Sequence, residues 1–76
     1  MKKVEILRRL YQAVSEGRRE FRWSDLLKLF APVASHSYTE IVLYELLGRG
    51  VFVKQDRKYI VNVEKLEELL KQYNTI

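Results

Sequence analysis

Apolar residues recur along the chain with a changing spacing, and each change marks a new element. From Lys2 to Glu16, Val4, Leu7, Leu10, Tyr11 and Val14 keep the i, i+3, i+4, i+7 rhythm of an amphipathic helix. Gly17 stands at the usual helix-stop position, with Arg18 and Arg19 just beyond it. Phe21-Arg22-Trp23 alternates aromatic, basic and aromatic side chains, which predicts a very short strand. Ser24 then reads as an N-cap and Asp25 as the acidic residue at the positive end of a short helix, Leu26 to Phe30. Pro32 ends that helix, because the residue before a proline is pushed out of the α region.

Ser37-Tyr38-Thr39-Glu40 has the form of a capping box, in which the serine hydroxyl accepts from the Glu40 amide and the Glu40 carboxylate accepts from the Ser37 amide. It predicts a third helix from Tyr38 to Gly48, with a core stripe of Thr39, Val42, Leu43 and Leu46 and an exit at Gly50. Val51 to Lys54 and Lys58 to Val61 are β-branched and aromatic runs on either side of Gln55-Asp56-Arg57, the pattern of a hairpin. Val63 to Tyr73 returns to helical spacing through Leu66, Leu69, Leu70 and Tyr73. The expected order is helix, short strand, helix, helix, hairpin, helix. Phe21, Trp23, Phe30 and Phe52 are expected inside, since so short a chain needs its large aromatics in the core.

Composition narrows the function. The 76 residues suit a single domain, 1–76, with no repeat and no linker, and with little material left to build a deep cleft. Without cysteine there is no disulfide, thiolate or Cys-based metal chemistry, and the single histidine has no companion ligands. No nucleophile–base pair, carboxylate dyad or glycine-rich phosphate loop is present, so neither an enzyme nor a cofactor is expected. No apolar run approaches the roughly 20 residues of a membrane span. Met1 leads straight into a charged helical pattern, and a cytoplasmic protein is expected. The net charge is +4, and its distribution says more than its size. Residues 1–63 hold 12 basic and 7 acidic side chains, and Arg49, Lys54, Arg57 and Lys58 cluster around the hairpin against Asp56 alone.

This α+β order resembles the winged helix-turn-helix family of DNA-binding domains over nearly the whole length. The most specific piece is Leu43-Tyr44-Glu45-Leu46-Leu47-Gly48-Arg49-Gly50-Val51-Phe52, similar to the family's passage from the recognition helix into the wing. The short basic chain is also similar to small transcription regulators of archaea and of their plasmids or viruses. The resemblance implies double-stranded DNA as partner, with the third helix (38–48) in a major groove and the hairpin wing (51–61) along the phosphates. It also implies regulation by occupancy of a promoter. One such helix covers few base pairs, so two copies per DNA site are expected.

The candidate DNA-binding residues are Ser35, His36, Ser37, Tyr38, Ile41 and Tyr44 at the third helix, Arg22 at the first strand, and Lys54, Arg57 and Lys58 in the hairpin. Ser35, His36 and Ser37 lead into a helix start, where free amides and short polar side chains suit phosphates or base edges. Tyr38, Glu40, Ile41, Tyr44 and Glu45 form the outward face; tyrosines can bond phosphates or bases, and Ile41 can touch a thymine methyl. That face departs from the family's usual Arg, Lys, Ser, Thr, Asn or Gln, and Glu45 would oppose or flank DNA. Arg18 and Arg19 either extend the basic surface or complement the end of the first helix. Lys2, Lys3, Arg8 and Arg9 read as a solvated helix face. The rival function is a winged helix that binds protein in a larger complex, supported by Glu40, Ile41, Tyr44, Glu45 and Leu47.

Overall fold

The computed structural model describes residues 2–73. The ends of the expected 1–76 domain, residue 1 and residues 74–76, lie outside the described residues. The fold is α+β: α1 (Lys2–Ser15), β1 (Glu20–Phe21), α2 (Trp23–Phe30), α3 (His36–Gly48), β2 (Phe52–Gln55), β3 (Lys58–Val61) and α4 (Val63–Gln72). The strands form one antiparallel sheet in the order β1-β3-β2.

Local chemistry sets the ends of these elements. After α1 the Gly17 amide donates to the Val14 carbonyl at 2.9 Å and the Arg18 amide to the Ala13 carbonyl at 3.0 Å, a closure that needs the φ of 97° found at Gly17. The same closure ends α3: Gly50, at φ 78°, donates to Leu47 and the Val51 amide to Leu46 at 2.9 Å. It delivers Val51 into the core and turns the chain into β2. β2 and β3 are joined by a tight turn with Asp56 in the left-handed region, a conformation its short polar side chain tolerates. Asn62 caps α4, its side-chain oxygen accepting from the Lys65 amide at 3.2 Å.

The core lies between α1, α2, α3 and α4 on one side and the inner face of the sheet on the other. Ile6, Leu7, Leu10, Leu26, Leu46, Phe21, Phe52 and Leu66 are among its buried members. Thr39, Val42, Leu43 and Leu46 form the buried stripe of α3, as the sequence pattern predicts. In α1 the stripe differs: Ile6 and Ala13 are buried, while Val4 and Tyr11 are only half-buried. The covered arc is no wider than expected but is turned toward Ile6 and Ala13, leaving Tyr11 at its edge, where its hydroxyl donates to the Glu67 carboxylate at 3.1 Å.

β1 begins one residue earlier than expected and β2 one later, running through Gln55, and two predicted helix starts move further. Trp23 is the first residue of α2 rather than the end of a strand, because the Arg22 amide donates to the Asp25 carboxylate at 3.0 Å and so is withdrawn from the sheet. The cap of that helix is therefore Arg22, not Ser24. The cap of α3 is Ser35, not Ser37: the Ser35 hydroxyl accepts from the Tyr38 amide at 3.1 Å. The earlier start also gives the buried Thr39 hydroxyl a partner, the Ser35 carbonyl at 2.8 Å. A helix capped at Ser37 would leave that hydroxyl without the carbonyl four residues back.

Candidate nucleic-acid interface

A helix rising with 3.6 residues per turn places Ser37, Ile41, Tyr44 and Gly48 in one strip opposite the core stripe. Ile41 is 62% and Tyr44 66% exposed, and Ser37 and Gly48 at the ends of the strip are exposed too. His36 and Ser37 occupy the first turn, whose amides have no partner within the helix. His36 also meets the edge of Trp23, with ring centroids 5.6 Å apart. Trp23, expected inside, is half-buried and lines a shallow hollow of about 220 Å³ with Glu40, Leu43, Tyr44 and Tyr59. Tyr38 does not join the strip. It lies about a quarter-turn round the helix, half-buried against the core, where helical phase carries it toward the buried stripe.

The sheet divides the hairpin cations between its two faces. Strand alternation and register put Phe21, Tyr59 and Lys54 on one face, with Phe52 and Val61. Tyr59 continues this face into the hollow beside Tyr44, and the Lys54 ammonium sits 5.7 Å from the Tyr59 ring centroid. Glu20, Ile60, Val53, Lys58 and Gln55 point the other way. On that side Arg22, Arg57 and Lys58 border a cleft of about 460 Å³, together with Glu20 and Asp56. The Lys58 ammonium already lies 3.5 Å from the Glu20 carboxylate. The structure therefore gathers Ile41, Tyr44, His36, Ser37 and Lys54 on one side, and Arg22 and Lys58 on the other, with Arg57 at the tip. Ser35 is engaged in its cap. Arg18 is held over the Phe21 ring at 4.9 Å, beside the end of α1.

Glu45 does not face outward with Ile41 and Tyr44. Both its oxygens accept from the Lys3 ammonium, at 2.8 and 2.9 Å, and Oε2 also accepts from Arg49 Nε at 3.2 Å. The Lys3 hydrogen bond holds the Glu45 carboxyl below the usual carboxylate range, partly opposed by desolvation and helped by Arg49. The same bond raises the Lys3 ammonium. Lys3 is thus half-buried and paired, not a freely solvated charge. Glu45 and Arg49 stand at i, i+4, so that half of the cluster was readable from spacing. The Glu40 carboxylate, by contrast, is exposed and makes no hydrogen bond or ion pair with any described residue.

Leu47 is half-buried against the core, which reduces the apolar patch on α3 to Ile41 and Tyr44. Among the described residues no group of three or more His, Asp or Glu is placed to hold a metal ion, and no helix is long and apolar enough to cross a membrane. No family model matches this chain, and neither does any curated protein or solved structure.

Proposed function

We propose that the protein is a winged helix-turn-helix domain that binds double-stranded DNA with sequence preference and regulates transcription by occupying a promoter. In this reading α3 enters the major groove and the β2–β3 hairpin is the wing. The observation that carries it is the shared side of the molecule on which the outward strip of α3, the free first-turn amides of His36 and Ser37, and Lys54 of the hairpin all open. A protein of +4 charge is drawn to a duplex carrying about one phosphate per 1.7 Å of axis. Pairing with Lys3 and Arg49 removes Glu45 from the opposition to that approach. The role is binding and not catalysis, and the binding unit on DNA is two copies on neighbouring half-sites, where each raises the effective concentration of the other.

The exposure of Ile41 and Tyr44 beside the unpaired Glu40 also suits a second reading, a winged helix whose α3 face binds protein. Titration of a labelled random-sequence duplex at two salt concentrations separates the two. DNA binding predicts measurable affinity that falls steeply with salt, whereas the protein-binding reading predicts none at physiological salt. Calorimetric stoichiometry on an enriched duplex then counts the copies.

A further inference from the structure

Resting on the DNA-binding reading, we infer that the protein selects its sites through thymine 5-methyl groups packed against Ile41 and the Tyr44 ring, and not through hydrogen bonds to base edges. The residues of α3, HSYTEIVLYELLG, include no Arg, Lys, Asn or Gln. Those side chains make the usual bidentate contacts with guanine O6 and N7 or adenine N6 and N7. What stands furthest out instead is apolar: Ile41 and Tyr44, at 62% and 66% exposure, rise between the small residues Ser37 and Gly48. That relief lets a groove floor come close to two protruding apolar groups. In the major groove the apolar feature distinguishing one base pair from the others is the thymine methyl.

The charged neighbours sharpen the choice. Glu40 is a bare acceptor at the edge of the strip, and guanine presents only acceptors to the major groove. A guanine beside Glu40 is therefore disfavoured, while the amino groups of adenine and cytosine are tolerated. Glu45, the other acid on this helix, is held away by Lys3 and Arg49 and takes no part in reading. The surviving positive determinant is the methyl of an A·T pair.

The test uses the full chain and a duplex enriched from a random-sequence pool. Each thymine of the enriched duplex is replaced in turn by deoxyuridine, which removes the methyl and keeps the hydrogen-bonding edge. Affinity for the wild-type protein should fall about fourfold at each methyl that is read, the equivalent of one buried methylene. Ile41→Ala, at an exposed helix position, should bind the thymine and uracil versions of its own position equally, with unchanged circular dichroism. The inference is overturned by an enriched duplex whose centre lacks thymine, by wild-type binding indifferent to uracil, or by an undiminished uracil penalty in both Ile41→Ala and Tyr44→Ala. Failure to enrich or bind any duplex rejects the DNA-binding reading itself, and is a different result from indifference to uracil on a duplex that is bound.

Discussion

α4 keeps its large apolar residues on one face, whereas α3 carries them on two opposite sides, and the two helices use them in opposite ways. Leu66, Leu69 and Leu70 of α4 are 0–4% exposed, closed against α1 and the rest of the core, and Tyr73 packs beside them. α3 buries an equally good stripe and then carries Ile41 and Tyr44 on its opposite side, more than half exposed. A chain this short buries only about 60% of its unfolded surface, so exposed apolar area is unavoidable somewhere. Here the large exposed hydrophobic residues of the described helices fall on one strip of one helix. The stripe of α4 is consumed internally and, among the described residues, offers no seam for a second copy. A monomer at micromolar concentration is the expected free state, checked by light scattering.

The largest effect should come from breaking the closed side. Leu66→Ala removes a fully buried side chain and should cost ~2–5 kcal/mol in urea unfolding, much of the stability of so small a domain. Ile41→Ala on the open side should move stability by no more than about 0.5 kcal/mol. Comparable losses at the two positions would mean that α3's outer strip is covered in solution. On DNA the ranking should reverse. Tyr44→Ala, with the fold intact, should lose at least ~0.8 kcal/mol, the value of one buried methyl contact, on an enriched site and clearly less on random duplex, because groove contacts discriminate and phosphate contacts do not. Equal losses on both duplexes would move Tyr44 from the groove to the backbone.

The next comparison lies within the hairpin. Lys54 opens on the side of Tyr44 through Tyr59, whereas Lys58 lies across the sheet with Glu20. Lys54→Ala should lower the slope of log affinity against log salt by about 0.9, the value of one phosphate contact, on any duplex. Lys58→Ala should leave the slope nearly unchanged. The reverse result would place the duplex against the outer face of the sheet, with Arg22 and Arg57.

How far the chain could be read follows the range of the forces involved. The stripe Thr39, Val42, Leu43, Leu46 and the position of the hairpin were legible because periodicity is a local signal that burial reinforces. Choosing Ser37 over Ser35 failed because the two serines flank His36 and both present an N-cap hydroxyl. What decides between them is the partner of the buried Thr39 hydroxyl, a consequence of packing. Trp23 was assigned inside on size, but its position at the start of α2 turns it toward His36 and the surface. Of the site, the outward place of Ile41 and Tyr44 followed from helical phase. The split of Lys54 from Lys58 required the register, and Lys3–Glu45 joins residues 42 positions apart, which no spacing rule reaches.

The smallest expected effect separates the two acids of α3. Lys3→Ala leaves Glu45 with Arg49 alone, and as a partly exposed pair it should cost less than about 1 kcal/mol at pH 7 and low salt. The sign with pH follows from the direction of each shift. Glu45 is held below its ordinary carboxyl value, so its contribution is present above that value and is lost as pH falls through the lowered one. Lys3 is raised, so its contribution persists below the ordinary ammonium value and disappears only as pH climbs through the raised one. The stability difference between wild type and Lys3→Ala should therefore be steady near neutrality and shrink in acid as Glu45 protonates, read from urea midpoints across that range. A difference that stays constant into acid would assign the role of Lys3 to packing of its alkyl stem. The same pairing predicts unequal effects on DNA: Glu40→Gln removes an uncompensated negative charge beside the groove and should tighten binding to random duplex at low salt. Glu45→Gln removes a charge already matched and leaves Lys3 and Arg49 free, so it should tighten binding through those two cations, with a steeper salt slope. A Glu40→Gln variant with unchanged affinity would show that the duplex lies away from that edge of α3.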